Sequence, residues 1–116
     1  MVQPRRAEVW RVDFNPTIGA EIQKVRPAVV ISSDAAGRLP LKLVAPITEW
    51  DNRFADSFWH VRLDPDGSNG LTKASAVDAL QLRGMDTQRF LRRLGRLTAA
   101  KMEEITTAIA IVIEHQ

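Results

Sequence analysis

Most of the chain alternates apolar and polar residues with the period of two that is typical of half-buried β-strands. In the segment 9–14, Trp10 and Phe14 fall on the apolar face, and charged residues fall on the other. A continuous apolar run follows Arg26 and predicts a strand over 26–32 that is buried on both faces. Further strands are predicted over 41–48, 59–64, 74–83 and 94–97.

The connections and the end of the chain carry different signals. Gly and Pro residues predict turns over 34–40 and 64–70, and the polar segment 49–57 predicts a loop. Thr98 is a favourable N-cap for a helix over 99–114, in which apolar residues recur at helical spacing. Short strands with turns every 8–12 residues or so indicate an all-β barrel or sandwich, with the helix packed at one end or edge.

The length of 116 residues suffices for one domain with a modest core, so we expect a single domain over 1–116. A chain of this size buries only about 65% of its unfolded surface, and a second copy would bury more, which favours a homodimer. The formal net charge is only +2, but twelve of the 16 basic residues are arginine, whose guanidinium binds phosphate in a bidentate way. This bias is a weak sign of nucleic-acid binding, because a mixed-charge surface also explains it.

Composition also excludes several classes of protein. The chain has no Cys, which rules out disulfides, thiolate nucleophiles and zinc–thiolate sites. It has no apolar run of about 18 residues and no charged-then-apolar leader, so no membrane segment is predicted and a cytoplasmic protein is expected.

Arg26 and Thr48 are predicted to meet at one edge of the sheet. Arg26 begins one predicted strand and Thr48 ends the next, and sequential strands joined by a short connection usually pair. In an antiparallel pair, the start of one strand lies beside the end of the other. A guanidinium beside a hydroxyl can neutralise and hydrogen-bond a phosphate. A purely structural pair at a sheet edge is the other interpretation.

The loop before Arg26 carries Glu21 and Lys24. The Glu21 carboxylate can orient the arginine or act as a base. It can equally form a solvated salt bridge that contributes little to stability. The residues alone do not decide between these alternatives.

Two other sets of polar residues invite a functional interpretation and are better explained by structure. A two-histidine ribonuclease site is disfavoured, because His60 alternates onto the polar face and His115 lies near the terminus, so both are expected to be solvated. Asp64, Asp66 and Asn69 lack the closing carboxylate of a calcium loop, and a turn explains them. No metal site is predicted.

Aromatic residues surround the polar loop that also carries Arg53. They are Trp50, Phe54 and Phe58. An exposed aromatic side chain beside an arginine can stack on an unpaired base. Alternatively, these rings anchor the loop onto the barrel or onto a partner subunit, and both interpretations stay open.

Five segments, in order along nearly the whole chain, resemble the MazF/PemK family of toxin endoribonucleases. The most specific segment is 8–21, with the sequence EVWRVDFNPTIGAE. It is followed by 24–32, with the sequence KVRPAVVIS. Weaker matches are 44–48 (VAPIT), 76–83 (AVDALQLR) and 94–97 (LGRL).

The resemblance implies a mainly β fold, an SH3-like β-barrel with a C-terminal α-helix, that forms a homodimer and cleaves single-stranded RNA, chiefly mRNA, without a metal or other cofactor. It places the family's catalytic arginine on Arg26 and its catalytic threonine on Thr48. Glu21 matches a loop carboxylate with a catalytic or positioning role in some members, and Gln81 matches a position that contacts RNA. The implied protein partner is an antitoxin that occupies the RNA groove. Further RNA contacts are expected from Asn15, Thr17, Lys24, Arg53 and Arg83.

The chain also departs from the family pattern. Ile18 and Ala20 stand where many relatives carry a polar or charged residue and a Ser, and Leu80 stands at a position that is often polar. These changes bear on sequence preference more than on the reaction. The same barrel occurs in CcdB-type toxins, which poison DNA gyrase without cutting and would not need Arg26 and Thr48. A catalytically inactive binding module is the third interpretation.

Overall fold

A computed structural model of the protein describes residues 2–36 and 39–115. Within these residues, seven strands precede one α-helix. The strands are β1 (Glu8–Asp13), β2 (Val25–Val30), β3 (Leu41–Glu49), β4 (His60–Leu63), β5 (Ser75–Asp78), β6 (Arg83–Asp86) and β7 (Phe90–Arg96), and the helix is α1 (Ala99–Val112).

The strands form one antiparallel sheet in the order β4-β5-β3-β2-β1-β7, with β6 paired to β3 outside this path. The long strand β3 has three partners: its first half pairs with β6, its middle with β2 and its end with β5. The outermost strands of this path, β4 and β7, are not paired with each other in the described part of the chain. The sheet therefore forms a barrel-like fold that is not closed, and the predicted mainly β architecture with a C-terminal helix is confirmed.

Two clusters of buried apolar side chains form the core. Strand β1 contributes to both, because successive side chains of a strand point to opposite faces. Val9 belongs to the larger cluster, whereas Trp10 and Phe14 belong to the smaller one. Trp10 and Phe14, which the alternation places on the apolar face, are core residues, since they are 8% and 0% exposed.

The C-terminal helix closes the larger cluster. Thr98 caps it as predicted, because its Oγ1 accepts a hydrogen bond from the backbone N–H of Lys101 at 3.2 Å. Met102 and Ile105 are buried against the sheet. The helix ends at Val112, two residues before the predicted end. No helix in the described ranges is long and apolar enough to cross a membrane.

The predicted strand over 74–83 is correct only for its first part, Ser75–Asp78, and wrong beyond it. Strand β5 ends at Asp78, whose Oδ1 accepts hydrogen bonds from the backbone N–H groups of Leu80 and Gln81 at 3.1 and 3.3 Å. These bonds turn the chain into the 3₁₀ helix Ala79–Gln81, and β6 begins after it. A short polar side chain that bonds to nearby backbone competes with a strand in this way.

Other boundaries also differ from the sequence prediction. The last strand begins at Phe90, four residues earlier than predicted. The loop over 49–57 contains the 3₁₀ helix Asn52–Asp56. The turn over 34–40 opens with the 3₁₀ helix Asp34–Ala36, and its residues 37 and 38 lie outside the described residues.

Candidate functional site

Arg26 and Thr48 line the same cavity, which has a volume of about 400 Å³. We call it the Arg26 cavity; Arg11, Lys73 and Arg92 are also among its lining residues. The pairing of β2 with β3 explains the convergence, because continuing that antiparallel register by two residues places Arg26 opposite Thr48. The structure thus places the two residues on one cavity, and their catalytic roles remain a prediction.

The strands hold both side chains at the cavity. Arg26 Nε donates a hydrogen bond to the backbone oxygen of Gln23 at 2.8 Å. The backbone of Thr48 lies opposite Ala76 of β5. Both Arg26 and Thr48 are half-buried. Each side chain is therefore positioned by its strand and still reaches solvent.

The remaining lining residues make the Arg26 cavity cationic. Arg11, Lys73 and Arg92 add three positive charges to that of Arg26. The one carboxylate among the described lining residues is Glu49, and its Oε2 lies 3.4 Å from Lys73 Nζ. None of Arg11, Lys73 and Arg92 was predicted from the sequence as a site residue. The only signal was for Arg11, which lies on the polar face of the predicted first strand.

Glu21 lies in a different place. It lines a second groove of about 540 Å³ with Ala20, Leu80, Gln81, Leu82 and Arg83, which we call the Gln81 groove. The Glu21 Oε1 accepts a hydrogen bond from the backbone N–H of Ile18 at 2.7 Å. Glu21, the predicted base, is thus not among the lining residues of the Arg26 cavity, and it shares a groove with the predicted RNA contacts Gln81 and Arg83.

Gln81 links the two sides of the Gln81 groove. Its Oε1 accepts a hydrogen bond from the backbone N–H of Ile22 at 2.6 Å, and its Nε2 donates to Asp78 Oδ2 at 3.3 Å. The same Asp78 carboxylate caps the 3₁₀ helix that carries Gln81. The loop between β1 and β2 is therefore fixed to the turn after β5.

The start of that loop is fixed as well. Arg89 Nη1 donates a hydrogen bond to the backbone oxygen of Asn15. The Asn15 Oδ1 accepts a hydrogen bond from the backbone N–H of Lys24 at 3.1 Å, which closes the loop on itself. Asn15, a predicted RNA contact, thus holds the loop shape. Thr17 and Lys24 line neither the Arg26 cavity nor the Gln81 groove.

The aromatic residues around the loop over 49–57 anchor it to the barrel. The Phe54 ring stacks on His60 with centroids 3.8 Å apart, and Trp50 contacts Phe54 edge-on at 5.8 Å. Phe58 differs, because it is 54% exposed. The predicted RNA contact Arg53 has a side chain that is 86% exposed and lines neither cavity.

The prediction that His60 is solvated is wrong, since its side chain is only 9% exposed. Its Nδ1 lies 2.7 Å from Ser57 Oγ, and its Nε2 lies 3.7 Å from Asp78 Oδ2. Burial lowers the pKa of His60 below its ordinary value, and the negative charge of Asp78 only partly opposes this. Sequence alternation missed the burial because Phe54, which covers the ring, comes from a loop.

The acidic turn after β4 is organised by its own backbone. Asp66 Oδ1 accepts hydrogen bonds from the backbone N–H groups of Ser68 and Asn69, both at 2.9 Å. These bonds lower the pKa of the Asp66 carboxyl. Among the residues that the structure describes, no group of three or more His, Cys, Asp or Glu side chains could hold a metal ion.

A small antiparallel barrel with an arginine, a threonine and further cations around one cavity is suited to an anionic ligand. Residues 5–113 match the family model described as the PemK-like, MazF-like toxin of type II toxin–antitoxin systems. The chain belongs to this family, as the resemblance of its segments indicated.

Individual proteins agree with the family match. The chain is 32% identical over 116 residues to Endoribonuclease MazF9 of Mycobacterium tuberculosis. The alignment covers 95% of this chain and 96% of the relative. The fold is similar to that of MazF from Deinococcus radiodurans, with a TM-score of 0.83, 23% identity and coverage of 98% and 99% of the two chains. It is also similar to an endoribonuclease in complex with its cognate antitoxin from a Mycobacterial species, with a TM-score of 0.77, 21% identity and coverage of 98% of both chains.

Proposed function

We propose that the protein is an endoribonuclease toxin that cleaves single-stranded RNA without a metal and is neutralised by a cognate antitoxin. The observation that carries the proposal is the presence of Arg26 and Thr48 in one cavity of a chain that belongs to the PemK/MazF family. A relative that is 32% identical over 116 residues is an endoribonuclease by name.

The chemistry that fits this pair is attack by a ribose 2′-hydroxyl on the adjacent phosphorus. The new bond joins the 2′-oxygen to phosphorus, and the bond from phosphorus to the 5′-oxygen breaks. The 2′-hydroxyl loses a proton and the departing 5′-oxygen gains one, which gives a 2′,3′-cyclic phosphate and a 5′-hydroxyl. Arg26 would stabilise the charge that develops on the phosphate oxygens, and Thr48 would hold one of those oxygens by a hydrogen bond.

The position of Glu21 favours a part in loop shape and RNA contact. Its carboxylate bonds to Ile18 and lines the Gln81 groove with Gln81 and Arg83. In the Arg26 cavity, the carboxylate among the described lining residues belongs to Glu49. We therefore propose that RNA crosses both the Arg26 cavity, where it is cut, and the Gln81 groove, where Glu21, Gln81 and Arg83 contact it.

Incubation of the purified protein with a long single-stranded RNA in EDTA tests the proposal. We expect discrete fragments with 2′,3′-cyclic phosphate ends, and no fragments with Arg26→Ala. An RNA that stays intact in the presence of a folded wild-type protein would refute the proposal. Inhibition of DNA gyrase with no RNA cleavage would support the CcdB-type alternative, which the family match over residues 5–113 does not favour.

We also propose that the protein acts in the cytoplasm as a homodimer. Large apolar side chains are exposed on the single chain, among them Leu41 at 54%, Leu80 at 58% and Leu91 at 56%, and a partner would cover part of this surface. Light scattering at several protein concentrations would measure the mass. Co-expression with a candidate antitoxin would test neutralisation.

A further inference from the structure

Arg11 and Arg92 lie directly opposite each other in the β1–β7 ladder. Opposed residues of an antiparallel pair have Cβ atoms about 4.5–5.5 Å apart, so their side chains share one face of the sheet. Both residues line the Arg26 cavity. Pro27, which follows Arg26 in β2, lies opposite Arg11 on its other side. The two arginines therefore extend the candidate catalytic cavity across β1 and β7.

This pair of like charges has no carboxylate partner among the residues that the structure describes. Neither Arg11 nor Arg92 forms an ion pair with any acid in the described part of the chain. The neighbouring acid Glu8 pairs with Arg93, and Glu49 pairs with Lys73. Like charges directly opposite in a sheet are destabilising. An anion placed between the two guanidinium groups would remove this repulsion.

We infer that Arg11 and Arg92 form a second phosphate subsite, which binds an RNA backbone phosphate next to the one that is cleaved. The inference rests on the proposed function, because RNA is the ligand that would place a second phosphate here. Guanidinium groups bind phosphate oxygens through two parallel hydrogen bonds, a geometry that Lys cannot reproduce. A contact of this kind positions the RNA strand and does not depend on the base sequence of the RNA.

The subsite predicts that removing it changes KM and leaves kcat nearly unchanged. A phosphate that does not react is held equally in the ground state and the transition state, so losing its contact raises KM and leaves kcat nearly unchanged. We expect Arg11→Gln combined with Arg92→Gln to raise KM about tenfold, with kcat within about twofold. Arg26→Ala should instead abolish kcat, because Arg26 faces the reacting phosphate.

Binding to an RNA that cannot be cut tests the subsite without cleavage. The probe is a short fluorescent RNA of mixed sequence with every 2′-hydroxyl methylated, titrated at several salt concentrations. For the double Gln variant we expect Kd to rise about tenfold and the slope of log K against log salt to fall by about 0.7, the value for one single-strand phosphate. Arg11→Lys combined with Arg92→Lys should keep the slope, because the charges remain, but bind more weakly than the wild type.

Arg93→Gln is the matched control. Arg93 is the next residue on β7, pairs with Glu8 and does not line the Arg26 cavity. Arg93→Gln also removes one positive charge. It should nevertheless leave Kd, KM and the slope of log K against log salt close to the wild-type values.

Three outcomes separate the subsite from misfolding and from the proposed function. The double Gln variant should melt no lower than the wild type, since a repulsive pair is removed; a lower melting temperature would indicate a structural role and refute the inference. Equal Kd and slope in the double Gln variant and the Arg93→Gln control would also refute it, while cleavage by the wild type would leave the proposed function intact. A wild type that binds the methylated RNA with the expected salt slope but cuts no RNA would refute the proposed function alone.

Discussion

Gln81 is hydrogen-bonded to Ile22 across 59 positions of the chain, with its Oε1 only 2.6 Å from the Ile22 backbone nitrogen. This bond fastens the loop between β1 and β2 to the 3₁₀ helix after β5. Asp78 supports it from the other side, because its carboxylate caps that helix and accepts a hydrogen bond from Gln81 Nε2. The amide side chain of Gln81 therefore joins the loop side of the Gln81 groove to the 3₁₀-helix side.

Replacing Gln81 with Ala should loosen the loop locally. The Ile22 N–H loses its acceptor, so its hydrogen exchange should become faster, and the free energy of unfolding should fall by about 1 kcal/mol. Exchange measured by NMR for individual amides checks this. Gln23→Ala is the control, because within the described residues only the backbone oxygen of Gln23 forms a hydrogen bond and its side chain forms none. Unchanged exchange at Ile22 in Gln81→Ala would contradict the bond.

Thr48 should matter for RNA cleavage and little for stability. Thr48→Val keeps the shape of the side chain and removes the hydroxyl, so we expect a loss of cleavage of about a hundredfold or more with an unchanged fold. Thr48→Ser keeps the hydroxyl and should retain most activity. Cleavage rates on one long RNA, compared with thermal melts of each variant, provide the measurement. A Val variant that cuts as fast as the Ser variant would show that the hydroxyl takes no part.

His60 should make stability depend on pH below neutrality. Burial lowers the pKa of His60 in the folded protein, so the unfolded chain binds more protons between the folded and unfolded pKa values. The free energy of unfolding is therefore highest above the pKa of His60 in the unfolded chain. It falls as pH drops from that pKa to the lower pKa of His60 in the folded protein, by at most about 1.4 kcal/mol per pH unit. Urea denaturation between neutral and mildly acidic pH measures this slope.

Substitution of each histidine identifies the source of that slope. His60→Gln should flatten the pH dependence of unfolding, because the buried titrating group is removed. His115→Gln should leave it unchanged, since His115 is exposed. Equal slopes in both variants would assign the effect to other groups.

Gly70 should not tolerate a side chain. Its φ is +73°, and a Cβ atom would lie 2.2 Å from the backbone oxygen of Leu94. Gly70→Ala should lower the free energy of unfolding by more than about 2 kcal/mol, since a backbone clash adds to the strain of a positive φ. Gly67→Ala is a close control: its φ is +83°, but a Cβ atom there meets nothing within 4 Å. Similar losses in the two variants would mean that the clash is relieved elsewhere.

The sequence predicted the parts of this protein that depend on neighbouring elements. The meeting of Arg26 and Thr48 follows from two consecutive strands, and the N-cap Thr98 follows from local chemistry. In both cases the deciding interaction lies within a short stretch of chain, where alternation and capping rules apply.

The remaining features depend on distant pairings. The apposition of Arg11 and Arg92 requires β1 to pair with β7, and nothing in either segment specifies that partner. The end of β5 was missed because the Asp78 carboxylate overrides the alternation that continues past it. The burial of His60 depends on Phe54, which reaches it from a segment with no strand pattern.

The three partners of β3 have a consequence for how activity is lost on heating. Thr48 sits on a strand that pairs with β6, β2 and β5 along its length, so a slip of its register would break all three ladders together. Fraying of β4 or β7, the outer strands of the path, breaks none of these three ladders and leaves Thr48 in place. On heating, RNA cleavage is therefore expected to be lost in the same transition in which the whole sheet melts. No folded form with reduced activity is expected below that transition.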